Sequence, residues 1–115
     1  MRSEIAPQSG DATVAGRADK FYATTLEQIL KDKGVETAVV VGSASNGAVL
    51  YTVFGLNLRG ITVVVAQDGI SAEPEFPTTI TRWQLLNEPG FANTDNKPLA
   101  KGQVTLSTTG LITFK

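Results

Sequence analysis

Residues 39–59 read VVVGSASNGAVLYTVFGLNLR, and the fold is decided in this stretch. Val35–Gly42 is a strand whose second half is continuously apolar and mostly β-branched, the pattern of a strand buried on both faces of a parallel sheet. Ser43–Gly47 is a loop of small residues. Ala48–Arg59 then reads as a helix capped by Ser45 or Asn46, with Ala48, Tyr51, Thr52, Gly55 and Leu56 on its inner stripe. Gly55 within that stripe implies close backbone approach to the sheet, and Gly60 stops the helix. A loop between a buried strand and a helix amino end is where open α/β sheets bind ligands. Its free amides and the positive end of the helix dipole favour a carboxylate, an oxyanion or a phosphate. The small side chains of Ser43, Ala44, Ser45, Asn46, Gly47 and Ala48 allow close approach. They equally suit a tight strand-to-helix turn selected for packing, and the residues alone do not choose between the two. Phosphate-loop patterns are absent, with neither G-x-x-x-x-G-K-[ST] nor G-x-G-x-x-G in the sequence.

Working outward, Thr24-Thr25-Leu26-Glu27 matches a capping box, and Leu26, Ile29 and Leu30 make one apolar helix face. Gly34 sits at its left-handed stop, with Lys33 beside the last carbonyls. Downstream, Ile61–Ala66 is a second buried strand. Gln67–Pro77 is a loop turning at Asp68-Gly69, in which Glu73 and Glu75 are solvated. A third helix over Thr78–Asn87 faces inward through Ile80, Trp83, Leu86 and Leu85, closed by Pro89-Gly90. Trp83 and Phe54 read as core or interface residues. Gln103–Ser107 and Leu111–Phe114 are short strands joined at Thr109-Gly110, and Asp11–Ala15 is one more short strand. The expectation is one domain: an arm at 1–10, an α/β core at 11–88, a loop at 89–102 and terminal strands at 103–115. Alternation of helix and strand predicts right-handed crossovers and a three-layer α/β/α fold with a mainly parallel sheet.

Composition narrows the chemistry. In 115 residues, 42% hydrophobic and 18% charged, there is room for one packed core. A net charge of −1 with interspersed signs excludes a nucleic-acid-binding stripe. Cysteine and histidine are both absent, which removes disulfides, a thiol nucleophile, a Ser–His couple and the usual zinc sets. Ser43 and Ser45 therefore have no histidine base, and no metal or cofactor is expected. The apolar runs are strand-sized, too short for a membrane, and Met1–Gly10 has no secretory core. A soluble cytoplasmic protein is the default.

The run TLEQILKDKGVETAVVVGSASNGAVLYTVFGLNLRGITVVVAQD, residues 25–68, resembles the second half of the isochorismatase-like hydrolases, a group that includes nicotinamidases and N-carbamoylsarcosine amidases. Phe21, Thr24, Leu26, Gly34, Gly42, Val49, Thr52, Gly60 and Asp68 carry the match in order, over Pro7 to Ser71. The resemblance places the family's nucleophilic cysteine on Ala48, where thiolate acylation is impossible. It places the oxyanion hole on the backbone amides of Ala44 and Ala48, and a non-proline cis peptide at Ser43–Ala44. Phe21 and Tyr51 would be apolar walls of the pocket. Isochorismatases proper, which cleave a vinyl ether, use an aspartate and a lysine instead of the cysteine. The aspartate belongs to a first strand without a counterpart here, and the lysine falls near Ala15 or Gly16. Arg17 and Lys20 are the nearest cations; Arg17 is a poor proton donor, its pKa staying above roughly 12, and Lys20 reads as a solvated surface lysine rather than one pointing into the site.

The resemblance further implies that a strand–helix–strand–helix unit is lacking. The sheet would then carry an open apolar edge, a liability unless covered. A second copy, giving a homo-oligomer, or a complementary chain would complete it; a rearranged half-fold is the other option. The leading expectation is a catalytically degenerate chain acting as a subunit or binding module for a small anionic or amide ligand. Two alternatives stand beside it: an active vinyl-ether hydrolase whose acid comes from another chain, and a purely structural assembly subunit.

Overall fold

The computed structural model describes residues 6–114. Met1–Ile5 of the expected arm and Lys115 of the expected last strand lie outside the described residues. Helix α1 (Leu26–Asp32) starts as expected, but the capping box does not form. The Thr24 hydroxyl donates back to the Lys20 carbonyl. Glu27 is drawn sideways to Arg59 at 2.7 Å and Lys31 at 3.2 Å, because a cation is a stronger partner for a carboxylate than a neutral amide. Gly34, at φ 63°, ends the helix.

Strands β1 (Thr37–Ser43), β2 (Thr62–Ser71) and β3 (Val104–Ser107) form one parallel sheet in that order. Helices α2 (Leu50–Leu58) and α3 (Phe76–Leu86) cross between them. Alternate strand residues face opposite ways. Ala38, Val40, Val63, Val65, Val104 and Leu106 join one apolar cluster with Val53 and Leu56 of α2, Leu85 of α3, and Leu26 and Leu30 of α1. All three helices therefore pack on one face. The opposite face, with Val39, Val64 and Thr105, lies beneath Leu99 and Leu111–Phe114 and keeps an open trough of about 710 Å³.

Several expectations give way. Strand β1 is not buried on both faces; it is the edge of the sheet, and Val41 is 55% exposed. Strand β2 runs on to Ser71, absorbing the expected Asp68-Gly69 turn. It bulges between the pairs Val40↔Val65 and Gly42↔Ile70, and a Cβ on Gly69 would meet Val41 at 2.6 Å, so only glycine lets the bulge close. The inner stripe of α2 is Val53, Gly55, Leu56 and Asn57, with Val49 ahead of it, rather than one containing Ala48, Tyr51 and Thr52. The turn leading into α2, Ser45–Val49, is π-helical, and its wider pitch shifts the phase of everything after it. Neither Ser45 nor Asn46 caps the helix. The close approach at Gly55 is to the Phe21 ring, 2.6 Å from where a Cβ would stand, and not to the sheet.

Helix α3 begins earlier than expected and buries Thr78, Thr81 and Leu85, while Ile80 and Trp83 are exposed. Thr81 satisfies its hydroxyl on the Pro77 carbonyl at 2.7 Å, so a residue that looks polar occupies the inner face. Asp11–Ala15 forms no strand. Leu111–Phe114 is not a strand either; it follows a 3₁₀ turn, Thr109–Leu111. Asp68 anchors that turn, accepting from the Thr109 amide at 2.9 Å and its hydroxyl at 2.6 Å.

Candidate functional site

Strand β1 delivers Ser43 to the carboxyl edge of the sheet, where the Ser43–Ala44 peptide is cis. The Ala44 carbonyl then accepts the amides of Gly47 at 3.0 Å and Val49 at 3.2 Å, which closes the turn. Ser45 is fully buried, and its hydroxyl meets that of Thr78 at 2.8 Å. This pair fastens the turn to the first residues of α3. Hollows open on both sides of Ser43. One, of about 250 Å³, is lined by Val40, Val41, Ala48 and Val49 together with Lys20 and Thr52. The other, of about 580 Å³, runs from Ser43 and Ala44 to Ser71, Glu73 and Glu75.

Of the residues expected at the site, Ser43, Ala44 and Ala48 border these hollows. Ser45, Asn46 and Gly47 build the turn and do not line them. Phe21 lies elsewhere, buried between Gly55 and the Arg59 guanidinium, which stands 3.8 Å from its ring centroid. Tyr51 is 52% exposed. The apolar walls are valines of β1 and the turn, which reasoning from a buried strand assigned to the core.

Lys20 is the charged residue that the smaller hollow contains. Its ammonium donates to the Gly16 carbonyl at 3.2 Å, and its amide donates to Thr52 Oγ1 at 3.4 Å. The lead-in segment is thereby tied to α2 next to Ala48. Across Ser43 the sign reverses, with Glu73 and Glu75 on the larger hollow and Glu75 only loosely paired with Arg82 at 3.7 Å. The arrangement can hold a small molecule with a polar or anionic end towards Lys20. It cannot form an acyl intermediate at position 48, since alanine offers a methyl group.

The larger trough on the opposite face is lined by apolar residues and hydroxyls, among them Thr37, Thr105, Ser107 and Thr113, and holds no charged group, so the strand-end hollows, which do, are the better candidate. Sequence reasoning also missed Glu88. It sits in the solvent-like run Asn87-Glu88-Pro89-Gly90 yet is 1% exposed, with both carboxylate oxygens unpartnered, and burial pushes its pKa up to about 7. Among the described residues no cluster of His, Cys, Asp or Glu could hold a metal, and no helix is long and apolar enough to cross a membrane.

The family model for the isochorismatase domain matches residues 1–85. The chain belongs to the isochorismatase family. Solved structures agree. An isochorismatase-like hydrolase from Alkaliphilus metalliredigens superposes with a TM-score of 0.76 at 21% identity, over 93% of this chain and 51% of its own. N-carbamoylsarcosine amidase from Thermoplasma acidophilum gives 0.75 at 21% identity, over 96% and 56%. The nicotinamidase of Staphylococcus aureus gives 0.62 at 20% identity, over 68% and 51%. No curated protein matches the sequence. This member of the isochorismatase-like hydrolase family thus spans about half the length of the solved structures it resembles, and at such identities the likeness shows the fold.

Proposed function

We propose that this isochorismatase-family chain is catalytically degenerate and acts as a subunit that binds a small anionic or amide ligand in the hollow beside Ala48. The observation that carries this reading is the pairing of an intact strand–turn–helix frame with a methyl group at position 48, where the family resemblance puts the nucleophile. Lys20 supplies attraction for a carboxylate, while Val40, Val41 and Val49 supply apolar contact. Neither Ser43 nor Thr52 has a histidine to activate it. The relatives named as nicotinamidases suggest the probes, nicotinamide and nicotinate. Titration followed by amide NMR is expected to shift residues of the Ser43–Val49 turn and Lys20, with no conversion of nicotinamide. Lys20→Met is expected to weaken nicotinate at least tenfold and leave nicotinamide nearly unchanged. No perturbation by either probe, or steady turnover of the amide, would refute the proposal.

One observation favours a second reading. Lys20 shares the hollow with Ala48, so a carboxylate contributed from across the open β1 edge would assemble an acid–lysine pair suited to vinyl-ether hydrolysis. A structure of the assembled protein with no carboxylate within hydrogen-bonding reach of that hollow removes this reading.

A further inference from the structure

We propose that Glu88 is a proton-operated latch: as the neutral acid it seats the loop that closes the β3 edge, and its ionisation releases that loop while the sheet and helices stay folded. The latch is independent of the hollow beside Ala48. It rests on where the carboxyl sits, what surrounds it and what it holds.

Glu88 follows α3 and its cap Asn87, near the start of a stretch, 87–103, that forms neither helix nor strand. The side chain is 1% exposed, and both carboxylate oxygens are enclosed without a hydrogen-bond partner. Burying an unpaired carboxylate costs far more than burying the neutral acid. Among the described residues no charge stands by to compensate. Helix α3 packs against the Ser45–Val49 turn, α2, β2 and β3. The turn, α2 and β3 carry no acidic or basic residue, and Tyr51 of α2 is exposed. On β2, Asp68 is held by Thr109. Arg82 of α3 itself pairs with Glu75 at 3.7 Å. Desolvation is accordingly the one cause that raises the Glu88 pKa, with nothing from Arg82 or from Asp95 and Lys97 in the loop.

What the carboxyl seats is the cover of β3. The Glu88 carbonyl accepts the Phe91 amide at 2.9 Å, and Gly90 between them, at φ 87°, turns the chain. Phe91 then meets Phe54 of α2 edge-on, ring centroids 5.8 Å apart. Just beyond, Asn93 donates to the Val104 carbonyl at 2.9 Å and Asn96 accepts the Leu106 amide at 2.8 Å. An ionised Glu88 reaches water only by turning out of this seat, which breaks the Glu88–Phe91 turn and withdraws the two asparagines. Because the loop lies outside every helix and strand, that motion costs the sheet only its outer hydrogen bonds.

Native-state hydrogen exchange of the full chain reads the latch. The Leu106 amide, held by Asn96, reports on the loop. The Thr105 amide, by alternation along the strand, points to β2 and reports on the sheet. After correction for intrinsic exchange rates, Leu106 is expected to exchange ahead of Thr105, through an opening that low urea does not accelerate. With the carboxyl at about 7 when seated and 4.5 when released, that opening is expected to be about tenfold more populated at pH 8 than at pH 6. Glu88→Gln, which cannot ionise, is expected to abolish this pH dependence; Glu88→Met supplies the same comparison if the amide prevents folding. Leu106 and Thr105 exchanging together, with one shared urea dependence, would mean that Glu88 acts only on the stability of the whole molecule and overturns the proposal. So does equal Leu106 protection at pH 6 and pH 8 in the unaltered protein, or a pH dependence that the variants retain.

Discussion

The two edges of the sheet are treated oppositely. At β3 the outward polar groups are already occupied. Asn93 donates to the Val104 carbonyl at 2.9 Å and to that of Lys97 at 3.0 Å, and accepts the Lys97 amide at 3.0 Å. Asn96 both accepts the Leu106 amide at 2.8 Å and donates to its carbonyl at 3.1 Å, taking the place of a paired strand with one side-chain amide. At β1 the corresponding groups have no such cover among the described residues. Two asparagines guard one edge, while the other is apolar, uncharged and uncovered among the described residues. The lesson is that side-chain amides can finish a sheet edge where no strand does.

The largest test of that contrast is to open the guarded edge. Asn93 is 5% exposed, and Asn93→Ala removes three hydrogen bonds, leaving the buried Val104 carbonyl without a partner and the Lys97 amide without its acceptor. Stability measured by urea denaturation is expected to fall by about 3–4 kcal/mol, with aggregation rising as β3 becomes a second bare edge. A loss under 1 kcal/mol without aggregation would show that the loop covers the edge without holding it.

A smaller effect comes from the root of the same guard. The loop starts at Glu88, whose carbonyl accepts the Phe91 amide at 2.9 Å, while the Asn93 amide donates to the Leu86 carbonyl at 2.8 Å. The buried Glu88 carboxyl holds its proton up to about pH 7, against 4.5 when unfolded. The folded state therefore binds more protons than the unfolded one between these values. Its contribution is fully present below pH 4.5 and is lost as pH rises through 7. Stability is expected to decline across that window by at most about 3 kcal/mol. Glu88→Gln, a neutral isostere, is expected to flatten the decline and to exceed the unaltered protein in stability at pH 8. Parallel pH profiles for the two proteins would contradict this.

What the sequence disclosed follows the same division. The strand–turn–helix frame, the parallel order, Gly34 and the cis peptide were legible, because local patterns and a family resemblance encode them. The edge position of β1 was not: its valines read as doubly buried, and residue type does not say whether the neighbouring strand is present. Thr78 and Thr81 were overlooked as inward residues because hydroxyls bonded to Ser45 and Pro77 pack like apolar groups. Phe21 was placed at the pocket by resemblance, yet Gly55 and Arg59 enclose it. Asn93 and Asn96 looked like ordinary loop polarity. Their role depends on contacts with Val104 and Leu106, about ten residues on, which no local pattern announces.

The smallest expected effect separates the edges from the faces. Asp68, on the β2 bulge, holds the Thr109 turn, and the hydrogen bonds from the Thr109 hydroxyl and amide lower its pKa below the usual 3.8. A depressed carboxyl contributes stability above its unfolded value and loses it as pH falls through the folded one, so the loss belongs below pH 4. Asp68→Asn keeps an acceptor for the Thr109 amide but removes the charge. It is expected to change midpoint denaturation little at pH 7 and to make the decline below pH 4 shallower. Hydrogen exchange is expected to quicken at Leu111–Phe114, over the helix-free face, while β1 and β3 stay as protected as before. Faster exchange along β3 instead would mean that the terminal segment supports the guarded edge, and the closure of that edge would then belong to more than its two asparagines.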